Sequence, residues 1–271
     1  MTTLLANKRL PKIALATFSA VILLFMAMPV VAVVPMSFSS SLSFELFPSA
    51  PSFTQYRQLF SSSDWIVSFL FSIRIAFGVM ICATTLGTFA ALGLSRLRGS
   101  WKPFLQGFLL APYIVPTIVY AVAAYSVFSR FGLVGNALGI TLAHTVLALP
   151  VVIVLVSSAL STLDPSLEEA SNSLGAGTIT TFMRITLPQI RLAVFVSALF
   201  SFHLSFDEVV VSLFLSGSNI LPLPVKIWSS ISYETTPILP AISMVIILVS
   251  LCLLTPALLL GAKGDSTGPK L

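Results

Sequence analysis

Residues 161–191 read STLDPSLEEASNSLGAGTITTFMRITLPQIR, a polar stretch rich in acids and glycine between two long apolar runs. Asp164 followed by Pro165 predicts a helix start, because aspartate accepts from the free amides of the first turn and proline fits that turn. Glu168 and Glu169 fall early in this helix, where the dipole favours acids. Leu167, Ala170 and Leu174 recur at helical spacing and form one apolar stripe. Gly175 and Gly177 end or sharply turn the helix. A second short helix is predicted from Thr178 to about Thr186, and Pro188 stands near the start of the next apolar run. The product is a helix–Gly–helix with a narrow apolar ridge flanked by acids. A helix lying on anionic lipid is usually basic. This one is acidic, so docking into a protein groove is the better fit.

The flanking runs are set by composition. The chain has 271 residues, 56% hydrophobic and 8% charged, with a mean hydropathy of +1.02. Soluble domains carry about 25% charged residues, and so short a chain could not hide this much apolar surface from water. A lipid bilayer removes the difficulty by acting as the apolar solvent. The length suits a single transmembrane domain over 1–271, with a core bundle at about 66–261 and the polar loop at about 161–190, and leaves no room for a second enzymatic domain. The net charge of +5 does not indicate nucleic acid, because the basic residues sit in short loops between apolar runs. Cys82 and Cys252 lie inside apolar runs with no second thiol or histidine at ligand spacing, and read as small hydrophobes. No metal site is expected, at these positions or at His144 and His203.

Six spans are predicted, at about 13–35, 66–95, 104–128, 137–159, 190–214 and 239–261, each near the ~20 residues a helix needs to cross a bilayer. The fold class is therefore all-α, a polytopic membrane protein. The first run follows Lys8, Arg9 and Lys12. It exceeds the ~7–15 residues of a cleaved signal's apolar region and lacks a clear small-x-small site, so it reads as a retained span. With both termini in the cytoplasm, the inner segments hold Lys8, Arg9, Lys12, Arg96, Arg98, Lys102, Arg184, Arg191, Lys263 and Lys270, and the outer loops hold only Arg57, Arg130 and Lys226. That asymmetry orients the chain N-in and C-in. Arg74 falls inside the second run. Residues 75–94 alone would span about 30 Å, which puts Arg74 at the outer interface, free to snorkel. Pro103, Pro112 and Pro116 interrupt the third run and predict an irregular, kinked helix.

The polar loop also carries a resemblance. Glu169, Ala170 and Ser171, then Gly175, then Ile185, Leu187 and Pro188 match, in spacing and in place before the penultimate span, the signature of ATP-binding-cassette importer permeases. Ser171 stands where that signature has a second alanine. The resemblance implies the type I importer permease fold, with residues 165–186 as coupling helices that seat in a cytoplasmic ATPase dimer. Glu169, next to Glu168, would pair with a basic or polar group there, and Gly175 would allow close backbone approach at the turn. It also implies a second permease subunit, usually a paralogue, and an extracellular or periplasmic solute-binding protein. No G-x-x-x-x-G-K-[ST] occurs, so no cofactor is expected on this chain, and ATP and magnesium belong to the partner ATPase. The chain is expected to be a transport subunit, not an enzyme, in contact with membrane lipid.

Along most of its length the chain is most similar to the polyamine (putrescine/spermidine) permeases of this group, notably in HTVLALP (144–150), SFDEVVVS (205–212) and LPLPV (221–225). Permeases for ferric iron, thiamine or other small solutes share parts of these stretches, and the solute stays open between them. Asp207 and Glu208 lie within the predicted fifth span, where an acid normally faces a cavity or a partner. Carboxylates and aromatic rings attract a flexible polycation. Adjacent helix positions point about 100° apart, so the two acids face differently. Asp207 shares a face with His203, and pairing with that histidine or capping a kink is the alternative to meeting substrate. A secondary transporter would need no docking loop. A serine hydrolase built on Ser216 lacks the G-x-S-x-G context.

Overall fold

The computed structural model describes residues 9–40, 46–48, 50–217, 220–233 and 236–265. In chain order the helices are α1 (Arg9–Met36), α2 (Thr54–Ser61), α3 (Ser63–Arg96), α4 (Trp101–Ile114), α5 (Thr117–Arg130), α6 (Ala137–Ser161), α7 (Pro165–Ser173), α8 (Thr178–Thr181), a π-turn (Phe182–Thr186), α9 (Leu187–Asp207), α10 (Val210–Leu215), α11 (Leu223–Tyr233) and α12 (Leu239–Asp265). Two compact units result, one of Met1–Ser62 with Thr235–Leu248 and one of Ser63–Glu234 with Val249–Leu271. In the first, Tyr56 of α2 donates to Ser37 Oγ (2.8 Å) just past α1, and Phe38, Phe53 and Tyr56 form a ring cluster.

The second unit is built on α3, α6 and α9. Ala83, Gly87 and Ala91 recur every fourth residue on α3 and are buried. Such small-xxx-small stripes let helix backbones approach closely in a membrane, where lipid is as apolar as leucine and tight packing must drive association. The approach is closest at Gly87, where a Cβ would lie 2.6 Å from Val152 Cγ1 of α6. Gly78 similarly faces Thr141 of α6. Residue numbers rise together across these two contacts, so α3 and α6 run parallel. Against α9 they run oppositely, since Phe69 meets Phe206 (6.1 Å) and Phe77 meets Phe202 (5.2 Å). Spans two and four parallel, with span five reversed, is the alternation that a six-span chain requires.

Among the described residues, four stretches are long and apolar enough to cross a bilayer alone: Ala14–Met36, Ser63–Arg96, Ala137–Ser161 and Thr178–Asp207. The expected sixth span falls on α12, apolar over Leu239–Leu253. The expected third span is not one kinked helix. Residues 104–128 divide into α4 and α5, bent by 100°. Val115 (φ −71°, ψ 131°) and Pro116 (φ −53°, ψ 129°) are both extended, because a proline pushes the residue before it out of the helical region. Pro112 is absorbed inside α4. The fifth span also differs from a continuous helix over 190–214. It begins with α8 and the π-turn, and α9 stops at Asp207, leaving Glu208 extended (ψ 111°) before α10. Arg74 is exposed on α3. Lys8 and Lys270, used in the charge asymmetry, lie outside the described residues.

Candidate functional site

The loop at 161–191 folds as its residues predict. Asp164 Oδ1 accepts from Ser166 N (2.9 Å) and caps α7. The hydrogen bonds from Ser166 hold its carboxyl below the usual aspartate range. At the other end Ala176 N donates to Ser171 O (3.1 Å) and Gly175 N to Asn172 O (3.0 Å), the paired bonds of a Schellman stop. Gly175 has φ +82°, a left-handed conformation natural to glycine and costly with a Cβ. No atom lies within 4 Å of where a Cβ on Gly175 would stand. The glycine is thus demanded by backbone conformation, and the close approach expected at this turn is not made within the chain itself.

The two neighbouring acids do different things. Glu168 turns inward. Its Oε1 accepts from Thr186 Oγ1 at 2.6 Å, and its Oε2 lies 3.7 Å from Arg96 Nη2 at the end of α3. Glu169 is exposed, and its carboxylate makes no hydrogen bond or ion pair among the described residues. Ser171, the departure from alanine, is buried and shares a 2.9 Å hydrogen bond with Thr181 of α8. The hydroxyl therefore has a partner where alanine would need none, and it ties the two short helices together. Ala170 is exposed.

The expected apolar stripe is exposed at all three of its positions, Leu167, Ala170 and Leu174. Leu167, 43% exposed, also borders a cleft of about 500 Å³ with Arg96, Arg98, Glu168 and Ile185. Leu174, 89% exposed, and Ile179 of α8, 80% exposed, are the most outward apolar side chains of the loop. Leu187 packs on the helical core and Pro188 opens α9, so that end of the motif seats the span. Sequence reasoning missed Ile179, Arg96 and Thr186. An isoleucine inside a polar loop was a signal for the first. Nothing local pointed to the other two.

A second polar cluster surrounds the break in span five. Glu208 Oε1 accepts from Val211 N (3.0 Å) and caps α10, so this acid serves the kink. His144 of α6 is 1% exposed; its Nδ1 lies 2.9 Å from Ser205 Oγ of α9 and its Nε2 3.2 Å from Ser212 Oγ of α10. One imidazole thus pins both halves of the broken span. Asp207 is exposed and unpaired among the described residues, and His203 Nδ1 is buried without a hydrogen bond. The alternative pairing of Asp207 with His203 is therefore not formed. From Arg191 to Asp207 is sixteen residues, about 24 Å of helix, which sets Asp207 towards the far end of the span from Arg191.

Residues 83–260 match the family described as "Binding-protein-dependent transport system inner membrane component". The spermidine/putrescine transport system permease protein PotC of Haemophilus influenzae is 32% identical over 251 residues, covering 92% of this chain and 96% of that protein. PotC of Escherichia coli K12 is 29% identical over 252 residues, covering 92% and 95%. The putrescine transport system permease protein PotI of the same strain is 32% identical over 207 residues, covering 71% of each. A solved bacterial ABC transporter involved in import of the acidic polysaccharide alginate superposes with TM-score 0.71 at 16% identity, covering 99% of this chain and 100% of the other. A bacterial alginate ABC transporter in complex with its pentasaccharide-bound periplasmic protein gives 0.74 at 14% identity, covering 93% of each. At those identities the likeness is one of fold. This chain belongs to the inner-membrane components of binding-protein-dependent transport systems, multi-pass permease subunits of ATP-binding-cassette importers.

Proposed function

We propose that this permease subunit forms part of the membrane path for a polyamine such as putrescine or spermidine. The observation that carries the solute class is the similarity to PotC over 92% of the chain. Asp207 supports it physically. Its charge stands at the carboxyl end of α9, where the helix dipole is already negative, and no described residue neutralises it. A polyamine ammonium supplies the missing charge. Because Asp207 lies near one end of the span, it acts as an acid at the mouth of the path, with His203 a turn below. Glu208 stays with α10 and does not meet the solute.

The same reading sets orientation and partners. Both termini face the cytoplasm, which puts α7 and α8 inside the cell and Asp207 at the outer mouth. Glu169, Leu174 and Ile179 dock into an ATPase of the ATP-binding-cassette type, present as a dimer that binds ATP and magnesium, while this chain binds no cofactor. A paralogous permease completes the path, and a solute-binding protein delivers the polyamine from outside. Purifying the complex from its native membrane and identifying the ligand on the copurified binding protein is the test. A polyamine is expected; a sugar, an oxyanion or an iron complex would overturn the assignment.

A further inference from the structure

We infer that Glu168 is a positioning residue for energy coupling, a strut that makes α3 and α9 move with α7. This rests on the reading that α7 docks on the ATPase. Glu168 holds two elements at once: Thr186 at 2.6 Å and Arg96 at 3.7 Å. Thr186 is fully buried and is the last residue of the π-turn, so the residue after it begins α9. Arg96 is the last residue of α3. The Arg96–Glu168 pair is the one ion pair among the described residues with both side chains described. α3 and α9 are in turn the helices joined by the Phe69–Phe206 and Phe77–Phe202 contacts. A displacement of α7 is therefore passed through one carboxylate to two of the three core helices.

The two arms are unequal. Arg96 and Glu168 are 49% and 35% exposed and border the 500 Å³ cleft, so solvent screens their attraction. The Thr186 bond is short, charge-assisted and rooted in a buried hydroxyl, which makes it the stiffer arm. The π-turn explains the geometry. One wide turn inserts an extra residue into the helical register and sets Thr186 on the side facing α7, while Leu187 still enters the core. The other acid, Glu169, is left outside for the partner. The LEE run thus assigns one carboxylate to each side of the joint.

The test is transport per ATP hydrolysed, measured in the complete complex in proteoliposomes with loaded binding protein. Thr186→Val is nearly isosteric and removes the donor, and Glu168→Ala removes the acceptor. Each should lower the coupling ratio about tenfold, the factor corresponding to one charge-assisted hydrogen bond. Thr186→Ser restores the donor and Glu168→Gln keeps an acceptor, and both should stay within about threefold of wild type, since the exposed ion pair contributes little. A purely structural role would reduce complex yield and lower transport and ATPase together, leaving the ratio unchanged, and that result overturns the inference. Wild-type coupling in Thr186→Val with the ATPase still bound removes the strut alone. A wild-type permease that never copurifies with an ATPase removes the docking reading, and the strut with it.

Discussion

Gly175 offers a perturbation in which the chain's own energetics separate cleanly from those of a partner. Its φ of +82° costs an L-residue about 1–2 kcal/mol, so Gly175→Ala should depopulate the native turn by roughly five- to thirtyfold relative to glycine. Gly175→Leu carries the same backbone cost. Since no atom lies within 4 Å of a Cβ at this position, its larger side chain meets nothing in the permease. Insertion, folding and permease yield should therefore be equal for the two variants. Any excess defect of leucine over alanine reports a surface supplied from outside the chain. If the loop docks on an ATPase, Leu should weaken ATPase copurification and substrate-stimulated hydrolysis well beyond Ala, while both variants insert normally. Gly175→Asn, which tolerates left-handed geometry, should fall nearest to wild type. Equal ATPase binding by the Ala and Leu variants at equal expression would refute the assignment of this turn to a docking surface.

Four further outcomes can be measured. With Cys82 and Cys252 replaced by serine, a cysteine at Ser173 should react with an impermeant thiol reagent only from the cytoplasm and one at Ser52 only from outside; labelling from the same side would overturn the six-span alternation. Asp207→Asn should reduce putrescine and spermidine uptake by roughly ten- to a hundredfold, from about 1–3 kcal/mol of lost attraction, at unchanged complex stability. Glu208→Ala should instead cost about 1 kcal/mol of stability through the lost cap on α10, seen as a lower melting temperature with solute preference kept. Gly87→Ala should destabilise the bundle by about 1–3 kcal/mol through overpacking against Val152, and adding Val152→Ala should recover much of the loss; no recovery would refute the close approach of α3 to α6.

What could be read from the sequence was local. The cap of Asp164 on Ser166 and the stop at Gly175 both formed where residue chemistry placed them, because each depends on atoms within a few residues. The 100° elbow was only half visible. Three prolines were plain, but Pro112 fits inside α4 and only Pro116, with Val115 extended before it, breaks the run. Whether a proline kinks or parts a helix depends on whether neighbours satisfy the freed carbonyls, and that is a property of the bundle. The stop at Asp207 was half visible in the same way. Asp207 and Glu208 marked the place and capping a kink was one of the roles open to them, but the apolar run resumes to Leu215 and the partner that holds the break, His144, lies on another span.

The division between Glu168 and Glu169 shows why the site was harder to read than the fold. Side by side in sequence, the two carboxylates have nearly the same propensity, charge and distance from the helix start. Only the return of α3 and of the π-turn to the same end of the bundle distinguishes them, giving Glu168 an arginine and a threonine and Glu169 neither. The same logic separates Asp207 from Glu208, where an amide one turn further along engages the second acid and leaves the first exposed. In each pair one acid is bound up in the chain's own architecture and the other stays unpaired at an exposed position. A membrane protein with 8% charged residues holds few such groups in reserve, so the unpaired member of each pair is where an outside charge is to be sought: a basic group of the ATPase at Glu169, and the cationic solute at Asp207.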